Sequence, residues 1–264
     1  MKQFILRGEP REDGTVRLSG EEFHYLAHVR RVCAGDTLDC RLPSGAPAVL
    51  LIKHIEKKAL IAECTLKSNE NCPQTVFPPI ILFQSMVKGM KMDLIVRQAG
   101  ETGVTDIAPF YSERSTPRHI SDSAVDADTG RCRRWRRILI EARQQSGSSI
   151  ATSVKFPMKP DELFSYWEQL KSQYEKSLAL LVHEIPLAKS GFHKYLDKVP
   201  ELIVLAVGPE GGFSQAEAAA FIDAGFKPVT LGDTILRAES AALYSVAVVR
   251  TLIFERCMWT KANL

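Results

Sequence analysis

Five short apolar runs constrain this chain more than any other feature. They are IILFQ (80–84), TDIAPF (105–110), LALLV (178–182), LIVLAV (202–207) and PVTL (228–231). Each has the length of a strand, and helical segments stand between most of them. The periodicity places those helices at about 90–102, 130–146, 161–173, 214–224 and 238–255. Strands alternating with helices predict an α/β fold, a mostly parallel sheet with helices on both faces. Such sheets bind ligands beyond the carboxyl ends of their strands.

The first seventy residues read differently. QFILR, TVRL, DTLDCR, APAVLLIKHI and ALIAECTL are short strands separated by Gly, Asp and Pro turn signals, as in a small barrel or sandwich. One helix interrupts them, and Ser19 with Glu22 has capping-box spacing at its start. The polar, proline-bearing stretch SNENCPQTVFPP (68–79) reads as a linker. It divides the chain into domains 1–72 and 73–264. With 264 residues, 45% of them hydrophobic, there is core enough for two unequal domains. No run reaches the roughly 18–20 apolar residues that span a bilayer, and MKQFILRGEP meets Glu and Pro too early for a secretory segment. The six cysteines are scattered without a CxxC pair, which fits a reduced, cytoplasmic chain with no metal site.

The most informative stretch is LIVLAVGPEGGFSQAEAAAF (202–221). A strand ends at Gly208, Pro209, Glu210, Gly211 and Gly212, and Ser214 with Glu217 forms a capping box for the next helix. The order of the glycines fits neither a dinucleotide fingerprint nor a Walker loop. Pro209 also lacks an amide hydrogen for wrapping phosphate. Glycines here let the backbone approach a ligand closely, so the turn reads as a cradle for a mostly neutral ligand or as a plain strand–turn–helix corner. The stretch VTLGDTILRAESAALYSVAVV (229–249) repeats the arrangement, with a strand ending near Gly232. Arg237 and Glu239 then stand at the mouth of a long apolar helix, as pocket residues or as a structural ion pair. Upstream, RCRRWRRILIEAR sets Trp135, Ile138, Leu139 and Ala142 on one helical face with arginines mostly off it, a solvated surface or a phosphate-binding one. The net charge of +3 permits a nucleic-acid partner without requiring one, and residues 1–72 hold eleven Lys and Arg against ten Asp and Glu.

GPEGGFS followed by LGDTILRAESAAL resembles the bacterial 16S ribosomal RNA (uracil N3) methyltransferases, members of the SPOUT class of S-adenosylmethionine enzymes. QSMVKGMKMDLIVRQAGETGVTDIAPFYSERS (84–115), RRWRRILIEARQQSG (133–147) and HVRRVCAGD (28–36) extend the resemblance over nearly the whole chain. It implies a trefoil-knotted C-terminal domain, with the knotted cofactor site at approximately 178–250, and a PUA-like RNA-binding barrel over 1–72. S-adenosylmethionine is then expected against Leu181, His183, Glu184, Val207, Gly208, Pro209, Glu210, Gly211, Gly212, Leu231, Gly232, Ile235 and Leu236. Arg237 and Glu239 are the catalytic candidates, with Glu210 as another proton acceptor. RNA contacts fall to His24, Arg30, Arg31, Lys88, Lys91, Arg114, Arg134, Arg137 and Arg143. The partners implied are 16S ribosomal RNA or the small ribosomal subunit and a second copy of the chain, with no membrane. Ser148 stands where the family commonly carries an arginine, and Ser240 replaces a threonine. Three other readings remain: a SPOUT enzyme for another RNA position, an RNA-binding assembly factor without catalysis, and a nucleotide-dependent enzyme. The ribose-methylating Ser-Leu-Asn signature is missing from ILRAES, which favours a base as the target.

Overall fold

The computed structural model describes residues 3–67, 77–116, 124–184 and 190–262. The chain divides into one unit of Met1–Gln74 plus Arg143–Ala151 and a second of Thr75–Ala142 plus Thr152–Leu264.

In the first unit, β1 (Phe4–Ile5), β2 (Thr15–Ser19), β3 (Thr37–Arg41), β4 (Pro47–Ile55) and β5 (Ala59–Leu66) form one sheet in the order β1-β3-β4-β5-β2. All its pairings are antiparallel except β1 with β3. The sheet is compatible with a PUA-like half-barrel. Alternation does the work of folding it: Ala48, Leu50 and Ile52 of β4 are buried and pack with Leu18, Leu38 and Leu60, while intervening residues face outward. Between β2 and β3 lie the short helix α1 (Gly20–His24) and a π-helical turn, Tyr25–Val29. The capping box expected of Ser19 and Glu22 does not form. Ser19 is committed to β2 by its pairing with Ala59 and its side chain caps nothing, while Glu22 accepts the backbone N–H of Arg7 at 3.0 Å.

The returning segment 143–151 is held by specific polar contacts. Gln3 Nε2 donates to the carbonyls of Arg143 and Ser148, both at 3.0 Å. Gly45, at φ +102°, passes so close that a Cβ there would lie 2.7 Å from the Ser149 carbonyl oxygen.

The second unit has a six-stranded, all-parallel sheet in the order β11-β9-β10-β6-β7-β8. Its strands are β6 (Ile80–Ser85), β7 (Asp106–Phe110), β8 (Ser153–Val154), β9 (Ser177–Val182), β10 (Leu202–Val207) and β11 (Lys227–Val229). Its helices are α2 (Lys91–Thr102), α3 (Ala124–Ser146), α4 (Pro160–Gln173), α5 (Phe192–Tyr195), α6 (Gln215–Asp223) and α7 (Ala238–Ala262). Every residue of β10 is buried, with alternate side chains entering opposite cores. Ile203, Leu205 and Val207 pack with residues of α2, α3 and α7, and Leu202, Val204 and Ala206 with residues of α4 and α6. That is the two-faced burial the apolar runs predict. The helices of the first layer approach closely at Gly100, where a Cβ would meet Leu139 Cδ2 at 3.1 Å and Ala142 Cβ at 3.3 Å. Two helices differ from their expected extents. α3 begins at Ala124 and carries Gly130 inside it, and α7 continues to Ala262. The strand β8 and the single turn α5 carry too few apolar residues for their periodicity to register.

Candidate functional site

Three adjacent strands, β11, β9 and β10, end on the same side of the sheet, and the residues beyond them line an open cleft. Val182, His183 and Glu184 come from the end of β9, where the His183 N–H donates to the Val229 carbonyl at 3.0 Å and ties β9 to β11. Val207, Gly208, Pro209, Glu210, Gly212 and Phe213 follow β10. Leu231, Gly232, Asp233, Thr234, Ile235 and Leu236 follow β11, and Ala238 and Ala241 of α7 complete the lining.

The turn after β10 is shaped by its glycines. The Gly212 N–H donates to the Pro209 carbonyl at 2.9 Å, with Gly212 at φ +65°. A Cβ on Gly212 would come 3.3 Å from Glu184 Oε1 across the cleft, and one on Gly208 would meet the Phe213 ring at 3.3 Å. The helix then starts where the sequence predicts. Ser214 accepts the Glu217 N–H at 3.2 Å, and Glu217 Oε2 accepts the Ser214 N–H at 2.9 Å. Glu217 Oε1 also takes the Glu113 N–H at 2.7 Å, which fastens the loop beyond β7 to the start of α6.

The electrostatics are one-sided. Glu184, Glu210 and Asp233 line the cleft, and among the described residues no lysine or arginine does. Burial pushes the Glu210 carboxyl upward, but hydrogen bonds from Lys91 and from the backbone of Glu210 and Lys88 outweigh it and hold the group below its ordinary value. Lys91 Nζ lies 2.8 Å and the Lys88 N–H 3.2 Å from Glu210 Oε1. Arg114 donates to the Gly211 carbonyl at 2.8 Å. Lys88, Lys91 and Arg114 therefore brace the glycine turn from outside.

Most of the expected cofactor residues line this cleft. Two do not. Leu181 is fully buried against the α4 and α6 layer, because alternation along β9 turns it away and presents Val182 instead. Gly211 directs its carbonyl to Arg114, outside the lining. Arg237 is exposed, and its carbonyl accepts the Ala241 N–H at 2.8 Å in the first turn of α7. Glu239 is half-buried, and its Oε2 is sealed from solvent with no hydrogen-bond partner among the described residues. Neither side chain lines the cleft. Phe213, Asp233, Thr234, Ala238 and Ala241 were not singled out from the sequence, although all lie within or beside its glycine motifs.

Among the expected RNA contacts, Arg134 pairs with Asp93 at 2.5 Å and Arg137 with Glu141 at 3.6 Å, both with exposed guanidinium groups. Arg143 is put to another use. It is 6% exposed and donates to the carbonyls of Pro43, Ser148 and Ser149, so it holds the returning segment rather than offering a cation to solvent. Burial, then the neighbouring Arg41, lowers its pKa to about 10, and it stays charged at neutral pH. In the first unit, His24, Arg30 and Arg31 are exposed on and beside the π-helical turn, with Arg31 at φ 55°.

Residues 75–250 match the family model of the RNA methyltransferase domain. The chain is 33% identical to ribosomal RNA small subunit methyltransferase E of Aquifex aeolicus over 67% of its own length and 71% of the relative's. With the Synechocystis enzyme of the same name it shares 29% identity over 91% of this chain and 74% of that one. A crystal structure of ribosomal RNA small subunit methyltransferase E from Neisseria gonorrhoeae bound to S-adenosyl methionine superimposes with a TM-score of 0.73 at 29% identity, covering 96% of this chain and 98% of the other. A methyltransferase from Legionella pneumophila, solved in complex with the same cofactor, gives 0.75 at 25% identity, covering 95% and 97%.

Proposed function

This chain belongs to the RNA methyltransferase family, and from that premise we propose that it uses S-adenosylmethionine to methylate N3 of a uridine in the 16S RNA of the small ribosomal subunit. The observation that carries the cofactor reading is the lining of the strand-end cleft. Its carboxylates, with no lysine or arginine in the lining among the described residues, suit a cationic, phosphate-free ligand better than a nucleotide phosphate. When bound, S-adenosylmethionine supplies a methyl group on a positively charged sulfur. The chain's own part is to hold and orient. Val182, Val207, Leu231, Ile235 and Leu236 give apolar walls, and Gly208, Gly212 and Gly232 leave backbone groups approachable. His183, Glu184, Pro209 and Glu210 shape the rim.

Uracil N3 must lose its proton, and the resulting anion spreads onto two carbonyl oxygens. Glu239 is proposed as the proton acceptor or as the orienter of Arg237, by its place in the first turn of α7 between the cleft-lining Ala238 and Ala241. Glu210 suits that role less, because Lys91 and Lys88 occupy its Oε1 and lower its pKa, which makes it a weaker base. Arg237 is proposed to stabilise the anion or bind the nucleotide's phosphate. Lys88, Lys91, Arg114, Arg134 and Arg137 are proposed to meet RNA phosphates, with His24, Arg30 and Arg31 of a PUA-like domain over 1–72. The methyltransferase domain, 73–264, would carry the knot and the dimer contact in a cytoplasmic enzyme.

The test is calorimetric titration of S-adenosylmethionine and S-adenosylhomocysteine, followed by nucleoside analysis of unmodified small subunits incubated with protein and methyl donor. The expected results are saturable binding, abolished by Gly212→Val, and 3-methyluridine as the product. A protein that binds neither ligand, with or without RNA, sinks the enzymatic reading.

A further inference from the structure

In the first unit the π-helical turn Tyr25–Val29 ends in an unusual way. The Arg30 N–H donates to the Tyr25 carbonyl at 2.9 Å and the Val32 N–H to the Leu26 carbonyl at 3.1 Å, so the chain closes through Arg31 at φ 55°. Helices commonly end in this left-handed conformation on a glycine, which has no Cβ to strain. Among the described residues Arg31 is the one non-glycine residue at positive φ. π-Helical turns are rare, and they and strained backbone both gather at functional sites.

The turn is anchored on one side and open on the other. Leu26 is fully buried and the Tyr25 ring stacks on Phe4 at 6.2 Å, whereas His24, His28, Val29, Arg30 and Arg31 are exposed. Rings gather around His28, which lies 5.2 Å from His24 and 5.7 Å from Phe23, the latter edge-on. The neighbouring carboxylates have other work. Glu21 pairs with Arg7, Glu22 accepts the Arg7 backbone N–H at 3.0 Å, and Asp36 accepts the Cys33 N–H at 2.7 Å. Neither Arg30 nor Arg31 pairs with a carboxylate among the described residues.

Exposed rings followed by arginines suit single-stranded RNA, whose bases stack on aromatic faces while its phosphates take cations. Three residues span at most about 10–11 Å, which keeps Arg31 within a nucleotide's reach of His28. We propose that this turn is a platform for an unpaired nucleotide of the RNA substrate. The base stacks on the His28 ring beside His24 and Phe23, and the flanking phosphates meet Arg30 and Arg31. The left-handed backbone then serves to aim the Arg31 guanidinium. The inference rests on the RNA-substrate reading above.

The test titrates the full chain with a short unstructured ribo-oligonucleotide, and with the same strand annealed to its complement, by fluorescence anisotropy at several salt concentrations. Glycine adopts φ 55° without strain, so Arg31→Gly removes the cation and spares the turn. That variant is expected to melt no lower than the wild type, yet to bind the single strand more weakly with a log–log salt slope flatter by about 0.7. Arg31→Lys is expected to keep the slope. His28→Ala is expected to weaken binding about tenfold, within the range for loss of one stacked base, and His28→Phe to stay near the wild type. Unchanged affinity in His28→Ala, or an unchanged slope in Arg31→Gly, overturns the platform. A weaker Arg31→Gly that also melts lower overturns it too, because the arginine then serves the fold. A duplex bound as tightly as the single strand overturns the unpaired nucleotide. The expected losses in a protein that takes up no S-adenosylhomocysteine uphold the platform and remove the enzymatic reading alone.

Discussion

Gly212, Glu210 and Glu239 each carry a distinct burden at the level of single residues. Gly212 needs a positive φ and has Glu184 opposite it, so valine there is strained and crowded at once. Glu239→Gln keeps the shape but cannot take a proton, and a loss of about 10²–10⁴-fold in kcat is expected, with cofactor affinity retained in calorimetry. Glu210 predicts a pH dependence. Its carboxyl is held below the ordinary 4.5, so its stabilising tether to Lys88 and Lys91 is complete above that pH and is lost as pH falls through the lower folded value. The melting-temperature gap between the wild type and Glu210→Gln should therefore be present at neutral pH and close in acid. A gap that persists at low pH would mean the carboxylate's charge is not what fastens the turn. Local signals explain why the sequence was informative here. A glycine turn advertises itself, whereas Leu181 and Val182 differ only in register, which the pairing of β9 decides.

Ser19 and Ser214 show how far one pattern travels among the elements. Both precede a glutamate by three residues, and only Ser214 closes a capping box, because only it is free of a strand. Ser214→Ala should cost about 1 kcal/mol. Glu217→Ala should cost more, since Glu217 also holds the Glu113 N–H, and thermal melting of the two variants orders them. Where α2 meets α3, Gly100→Val forces side chains into Leu139 and Ala142, with an expected loss of about 1–3 kcal/mol. Unchanged stability would mean that the layer has slack the close contacts deny. The parallel sheet was legible because each strand is an uninterrupted apolar run. β8, two residues long, had no such signal and exists through its pairing with β7.

For the molecule as a whole, affinity for RNA should fall steeply with salt if the proposed cations meet phosphates. Each contact removed, as in Arg30→Ala or Arg137→Ala, is expected to flatten the log–log slope by about 0.7 for single-stranded sites. A slope indifferent to these variants would assign binding elsewhere. What the sequence could not announce was the itinerary of the chain. Residues 143–151 count with the first unit although some seventy residues of the second precede them, and Arg143, which reads as one more surface arginine, is its buried clamp. This has a consequence for modularity. The amino-terminal sheet is not a cassette that can be moved by cutting near residue 74, because the piece so excised leaves behind the strip that binds Gln3, Pro43 and Gly45. Its remainder, in turn, carries a stranded guanidinium with nothing to grip. Recombination, truncation or fusion at that junction yields two incomplete parts, so lineages and engineers alike are constrained to inherit the two units together.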